Sequence, residues 1–202
     1  MASPCRLCPR ECGAHRRKGE LGFCGLPFGA SLAGAYRHFG EEPPICQKSG
    51  AAAFFFASCN LRCSFCQNWQ ISRRPSSGKL LSSQDLARSF LSFEEFSCSH
   101  LDLVSPTPHL PWVLEALALA RSQGFSLPVV INSNGYLREE VLEIYGRSSE
   151  IVLLDVKFSS TSLSESVCAS SDYPAQAKLA AKKSMEIFGP LSCEGAEARS
   201  GV

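Results

Sequence analysis

Four nearly uninterrupted apolar runs, each followed by a helix-like stretch, constrain this chain more than any other feature. The runs are Ala51–Ala57, Leu101–Ser105, Pro128–Asn132 and Ile151–Val156. Apolar residues at successive positions face both sides of a sheet, which suits parallel strands covered on both faces. Between them, Ser83–Leu91 reads as a helix that Ser82 or Ser83 can cap, with Asp85 favourable in its first turn. Pro111–Gln123 is an Ala- and Leu-rich helix stopped by Gly124, and Glu139–Tyr145 a shorter one stopped by Gly146. A last helix starts near Pro174 and runs to Phe188 before Gly189-Pro190. This alternation predicts an α/β fold, either an open doubly wound sheet or part of a barrel.

Residues 1–48 have a different character. They are rich in Cys, Gly, Pro and Arg without sustained periodicity, and read as a small Cys-rich, metal-binding N-terminal region. Residues 51–189 form the β/α part, Ser159–Ser171 reads as a Ser-rich loop, and 190–202 as a disordered tail. A net charge of +1 offers no basic field, so no nucleic-acid partner is expected. Ala51–Ala57 is far shorter than the roughly 20 residues of a membrane span, and Met1-Ala2-Ser3-Pro4-Cys5 has no apolar stretch resembling a secretory signal. An intracellular, cytoplasmic protein is expected. Arg6, Arg10, Arg16 and Arg17 keep a mitochondrial address open, against which Glu11 and the crowded cysteines argue.

In a reducing compartment 11 cysteines at close spacing point to metal rather than to disulfides. Cys5, Cys8, Cys12 and Cys24 form one group, enough thiolates to close a zinc site or a second iron–sulfur cluster. The basic residues around them read as a solvated loop. Cys46, Cys98, Cys168 and Cys193 are scattered and read as buried apolar residues or inert thiols.

The other group, Cys59-Asn-Leu-Arg-Cys63-Ser-Phe-Cys66, follows the first strand, where α/β folds place their chemistry. A four-iron cluster normally takes four thiolates, so three leave one iron open, as in catalytic metal sites. A zinc site would want a fourth Cys or His nearby, and none lies between Cys66 and Cys98.

C-x3-C-x2-C after the first strand, with Phe65 before the third cysteine, resembles the signature of the radical S-adenosylmethionine (SAM) superfamily. Asn132-Ser-Asn-Gly135 and Asp155-Val-Lys157 resemble two blocks of the activating enzymes of glycyl radical enzymes, such as pyruvate formate-lyase activase. Arg37–Pro44 with Ser49-Gly50 is similar to a less characterised, activase-like subgroup that also begins with C-x2-C-P-x2-C. The resemblance implies a 4Fe-4S cluster on Cys59, Cys63 and Cys66, with SAM chelating the fourth iron. It places Phe65 beside the adenine, Ser133 and Lys157 toward SAM, Lys157 on its carboxylate, and Asp155 beside that site. Where many members carry Gly-Gly-Glu this chain has Ser105-Pro-Thr-Pro108, leaving Thr107 or backbone carbonyls to hold the methionyl amine. His109 reads as a proton donor, a helix cap or a solvent contact.

The resemblance also implies a partial (β/α) TIM-type barrel, here with about four β-α units. Two more units would need on the order of 70 residues, and 13 remain after Gly189, so a C-terminally truncated form is expected, with Ile151–Val156 as an unpaired edge. Two functions follow as expectations. One is a radical SAM enzyme that takes an electron from a donor, cleaves SAM to a 5′-deoxyadenosyl radical and abstracts hydrogen from a substrate, including a glycine of a partner protein. The other is a non-catalytic, truncated iron–sulfur or zinc-binding protein. A flavodoxin-like module also fits the alternation but leaves the cysteine clustering unexplained.

Overall fold

The computed structural model describes residues 3–46 and 49–202. Of the expected N-terminal region, Met1, Ala2, Gln47 and Lys48 lie outside the described residues. The strands are β1 (Ala30–His38), β2 (Ala51–Phe56), β3 (Lys79–Leu81), β4 (Leu101–Val104), β5 (Val129–Ser133), β6 (Ile151–Leu154), β7 (Ser192–Glu194) and β8 (Glu197–Ser200). The helices are α1 (Trp69–Ser72), α2 (Ser83–Ser92), α3 (Leu110–Ser122), α4 (Glu139–Gly146), α5 (Thr161–Cys168) and α6 (Tyr173–Phe188).

Six strands form one sheet in the order β3-β1-β2-β4-β5-β6. The four apolar runs are its parallel strands β2, β4, β5 and β6. The fold is therefore α/β with a mostly parallel sheet, consistent with a partial β/α barrel. Side chains alternate between its faces. Phe54, Phe56, Leu101, Leu103, Val129, Ile131 and Val152 pack under α2, α3 and α4 against Leu86, Phe90, Val113 and Val141. Phe54 is fully buried with its ring 4.9 Å from that of Phe90; such burial stabilises by about 1.5–3 kcal/mol per side chain. On the opposite, inner face, Phe55, Val104, Asn132 and Leu153 line a cleft.

The helix signals act as expected where they are local. The Ser82 hydroxyl accepts the Asp85 N–H at 3.1 Å and starts α2, and Gly124 takes φ +96° beyond α3. Three expectations are overturned. Residues 30–38 form β1, antiparallel to β2 in the same sheet. The Ser-rich segment carries α5, started by Ser160, whose hydroxyl accepts the Leu163 N–H at 3.3 Å. Residues 190–202 are not a disordered tail: β7 and β8 pair as a hairpin. Its end shields β6, because Val152 N–H donates to Gly201 O at 3.1 Å and Gly201 N–H to Glu150 O at 3.2 Å. Ala198 packs beside Ile45, Val130 and Ile151, closing the base of the inner face.

Candidate functional site

The loop after β2 carries Cys59, Cys63 and Cys66, all three as free thiols facing the cleft. Its tight path puts Ser58 and Arg62 at positive φ, +65° and +55°. The Leu61 N–H donates to Cys59 Sγ at 3.4 Å, and Asn134 Nδ2 donates to the same sulfur at 3.1 Å. Burial, followed by the neighbouring Cys59 and Cys168 sulfurs, pushes the Cys63 thiol up to about 12, and Lys157 partly offsets this. Among the described residues no three Cys, His, Asp or Glu side chains are placed to hold a single metal ion.

The cleft has a volume of about 670 Å3. The same cleft is lined by Asp155 and Lys157, paired at 2.5 Å, and by Ser105, Asn132 and Asn134. Phe65 stands 57% exposed at the rim, edge-on to Phe158 at 5.6 Å between ring centroids. The far end is walled by Tyr36 stacked on Phe55, by His38 and by Glu41. Beneath Glu41 lies the wholly buried Asp102, whose carboxyl burial and Glu41 together push well above the usual range.

Two expected site residues are elsewhere. Ser133 shares the parity of Val129 and Ile131, so it faces the helices, and its hydroxyl accepts the Gly135 N–H at 3.3 Å. Asn132 and Asn134 reach the cleft in its place. Thr107 is buried in a 3-10 turn (Thr107–His109) with its hydroxyl bonded to Tyr145 OH at 2.9 Å, and does not line the cleft. His109 stands at the N-cap position of α3, but its side chain makes no capping hydrogen bond and does not reach solvent. Fully buried, it accepts the Ser31 N–H on Nδ1 at 3.2 Å and pairs Nε2 with Ala57 O at 2.9 Å, bracing β1 against the cysteine loop. Burial pushes this imidazole down to about 4, so it stays neutral.

The sequence reading also missed Tyr173. Its hydroxyl accepts the Lys157 N–H at 2.9 Å and reaches Asn134 O at 2.9 Å and Asp155 O at 3.2 Å, tying the ends of β5 and β6. Cys168, expected to be inert, lies at the end of α5 in the same buried cluster as Cys59 and Cys63. The signal for Tyr173 was faint: a tyrosine opening a helix beside Pro174.

Cys5, Cys8, Cys12 and Cys24 surround one small cavity together with Arg10, Arg16, Phe23 and Asn60. Cys5 N–H donates to Ala14 O and Gly13 N–H to Cys5 O, both at 3.0 Å, folding the segment back on itself. Gly22 leaves room for Cys12 Sγ, which any Cβ there would strike. Burial, then Cys5, Cys24 and Cys12, push the Cys8 thiol up to about 12. Arg10 and Arg16 are not a solvated basic loop. Arg10 donates to Asn60 O at 3.1 Å and Cys168 O at 2.7 Å. Arg16, 2% exposed, donates to Pro27 O and Pro108 O. The four-cysteine segment is thus bolted to the loop that bears Cys59.

The family model of the Radical SAM superfamily matches residues 54–186, well over half of the chain. The chain belongs to this superfamily. It is also 28% identical over 177 residues to the uncharacterized protein MJ0674 of Methanocaldococcus jannaschii, covering 84% of this chain and 50% of that protein. The chain spans about half the length of this relative. Membership in the Radical SAM superfamily brings a 4Fe-4S cluster and SAM as cofactors. The donor set fits such a cluster: three free thiols on one loop, two N–H groups aimed at one sulfur, and a cleft beside them. No helix among the described residues is long and apolar enough to cross a membrane.

Proposed function

We propose that this radical SAM protein cleaves SAM reductively in the cleft, with Cys59, Cys63 and Cys66 holding three irons of the cluster. The observation that carries the reading is the placement of three free thiols on one loop, in one cleft with the Asp155–Lys157 pair. When bound, the cluster supplies one electron to SAM, breaking its sulfur–C5′ bond into methionine and a 5′-deoxyadenosyl radical. The rest is positioning by the chain's own side chains. Lys157 gives the methionyl carboxylate a cationic partner, with Asp155 holding the amine in place until SAM arrives. Asn132 offers its amide to the polar part of SAM, the role that the parity of β5 denies Ser133. Phe65, braced edge-on by Phe158, presents a ring face to the adenine. The remaining cleft, toward Tyr36 and Phe55, holds the substrate whose hydrogen is abstracted.

The N-terminal cysteines are read as holding a second iron–sulfur cluster in preference to zinc. One zinc ion, at about 2.3 Å from each sulfur, draws four sulfurs within roughly 4 Å of one another. The four cysteines share one cavity without three of them being placed to hold a single ion.

Anaerobic reconstitution with iron and sulfide, followed by electron paramagnetic resonance of the reduced protein, tests both readings. The expected wild-type chain carries about eight irons in two clusters and gives a four-iron signal that changes shape on adding SAM. Cys63→Ser is expected to retain about four irons, to lose the response to SAM and to make no 5′-deoxyadenosine. A signal indifferent to SAM in the wild-type chain would sink the cleavage reading.

A further inference from the structure

Asn134 is the first residue beyond β5, and its amide is held in one orientation. Its Oδ1 accepts the backbone N–H of Tyr136 at 2.9 Å. A backbone N–H can only donate, so the amide cannot be turned over, and both Nδ2 protons point the other way. One goes to Asn60 Oδ1 at 2.8 Å and the other to Cys59 Sγ at 3.1 Å. Asn60 is fixed in turn, donating Nδ2 to Tyr136 O at 2.8 Å. The backbone is pinned as firmly. Tyr173 OH donates to Asn134 O at 2.9 Å, and Gly135 turns at φ +76° where a Cβ would collide with the Asp155 carbonyl.

We propose that Asn134 is a positioning residue that sets the reduction potential of the cluster by hydrogen-bonding the Cys59 sulfur. The proposal rests on the reading that Cys59, Cys63 and Cys66 carry that cluster. Reduction adds negative charge that spreads onto the ligating sulfurs. A donor aimed at one of them stabilises the reduced form more than the oxidised form and raises the potential. The other donor to this sulfur, Leu61 N–H, lies farther away at 3.4 Å. The Lys157 charge acts on Cys63, a different sulfur of the loop. Asn134 is thus the side chain through which the protein can adjust how readily the cluster takes the electron that SAM cleavage needs.

The test uses the full chain, reconstituted without oxygen, as wild type, Asn134→Asp and Asn134→Leu. Iron and sulfide are counted first, and the reduced signal is then followed against potential. Asn134→Asp keeps an oxygen for the Tyr136 N–H but loses the donor and adds charge, and Asn134→Leu removes the amide altogether. Both are expected to shift the midpoint downward, Asp further than Leu. At a fixed solution potential the reduced fraction in Asp is expected to fall about tenfold, which is about 59 mV for one electron. In wild type labelled with 15N at asparagine side chains, the reduced cluster is expected to show a nitrogen coupling. That coupling decides the matter if the variants fail to hold iron: its presence supports the proposal and its absence overturns it. Full iron with an unchanged midpoint in both variants overturns the role of Asn134 alone, provided the wild-type cluster responds to SAM. A wild-type chain that retains no cluster overturns the site reading and this proposal together.

Discussion

Lys157 is held twice, by its amine on Asp155 and by its backbone N–H on the Tyr173 hydroxyl. The second contact keeps the loop after β6 in place when the side chain is removed. Lys157→Ala is therefore expected to raise the dissociation constant for SAM by about tenfold, a loss of roughly 1.5 kcal/mol for a charged hydrogen bond. Iron content should stay at the wild-type value, and equilibrium binding of SAM beside an iron assay checks both. Loss of iron would instead make Lys157 structural. Cys59, Cys63, Cys66, Phe65, Asp155 and Lys157 all line the cleft, and they stood out in the sequence because their spacing is local. Ser133 and Thr107 were not placed correctly because a motif match fixes neither strand parity nor a neighbour 38 positions away, such as Tyr145. Asn134 and Tyr173 act through contacts that join distant parts of the chain, which no window of sequence displays.

At the scale of elements, the parallel strands and α2, α3, α4 and α6 were readable from periodicity and caps. β1 was not, because Gly34, Arg37 and His38 interrupt its apolar pattern, and because it gains its place by pairing with Ala51–Phe56. α5 was hidden by serines, poor helix formers that here supply the cap. The β7–β8 hairpin reads as tail in sequence since most of its side chains are exposed, yet its backbone is engaged. Ala198 N–H donates to Pro44 O at 2.6 Å, and Val152 N–H to Gly201 O at 3.1 Å. Removing residues 190–202 would leave the Val152 N–H without its partner and open the edge of β6. The expected result is a loss of about 1–3 kcal/mol in urea unfolding and concentration-dependent aggregation on light scattering. An unchanged midpoint would mean that the hairpin adds nothing to the sheet.

Across the whole molecule, two buried imidazoles tie stability to pH. Burial pushes His100 and His109 each down to about 4 from 6.5. The unfolded chain binds their protons first as the solution is acidified. Their contribution is therefore complete above pH 6.5 and is lost as pH falls toward 4, by at most about 3 kcal/mol per residue. Asp102 works in the opposite sense. Its raised carboxyl favours the folded state at low pH, and that contribution is lost as pH rises through its folded value. Thermal melts from pH 7 to 4 are expected to show a falling midpoint, and His109→Gln, which keeps an amide donor for Ala57 O, a shallower fall. Equal slopes in the two proteins would refute the assignment to His109.

The hydrogen bond from Asn134 to Cys59 spans 75 residues of chain, and that span has a duration as well as a length. A ribosome adding about 5 to 20 residues each second exposes the cysteine loop on the order of 4 to 15 seconds before it delivers Asn134. During that interval the Cys59 sulfur has the Leu61 N–H from its own loop and no amide from β5. Iron that arrives on the nascent chain meets a site still lacking its side-chain donor, whereas iron that arrives after release meets the finished one.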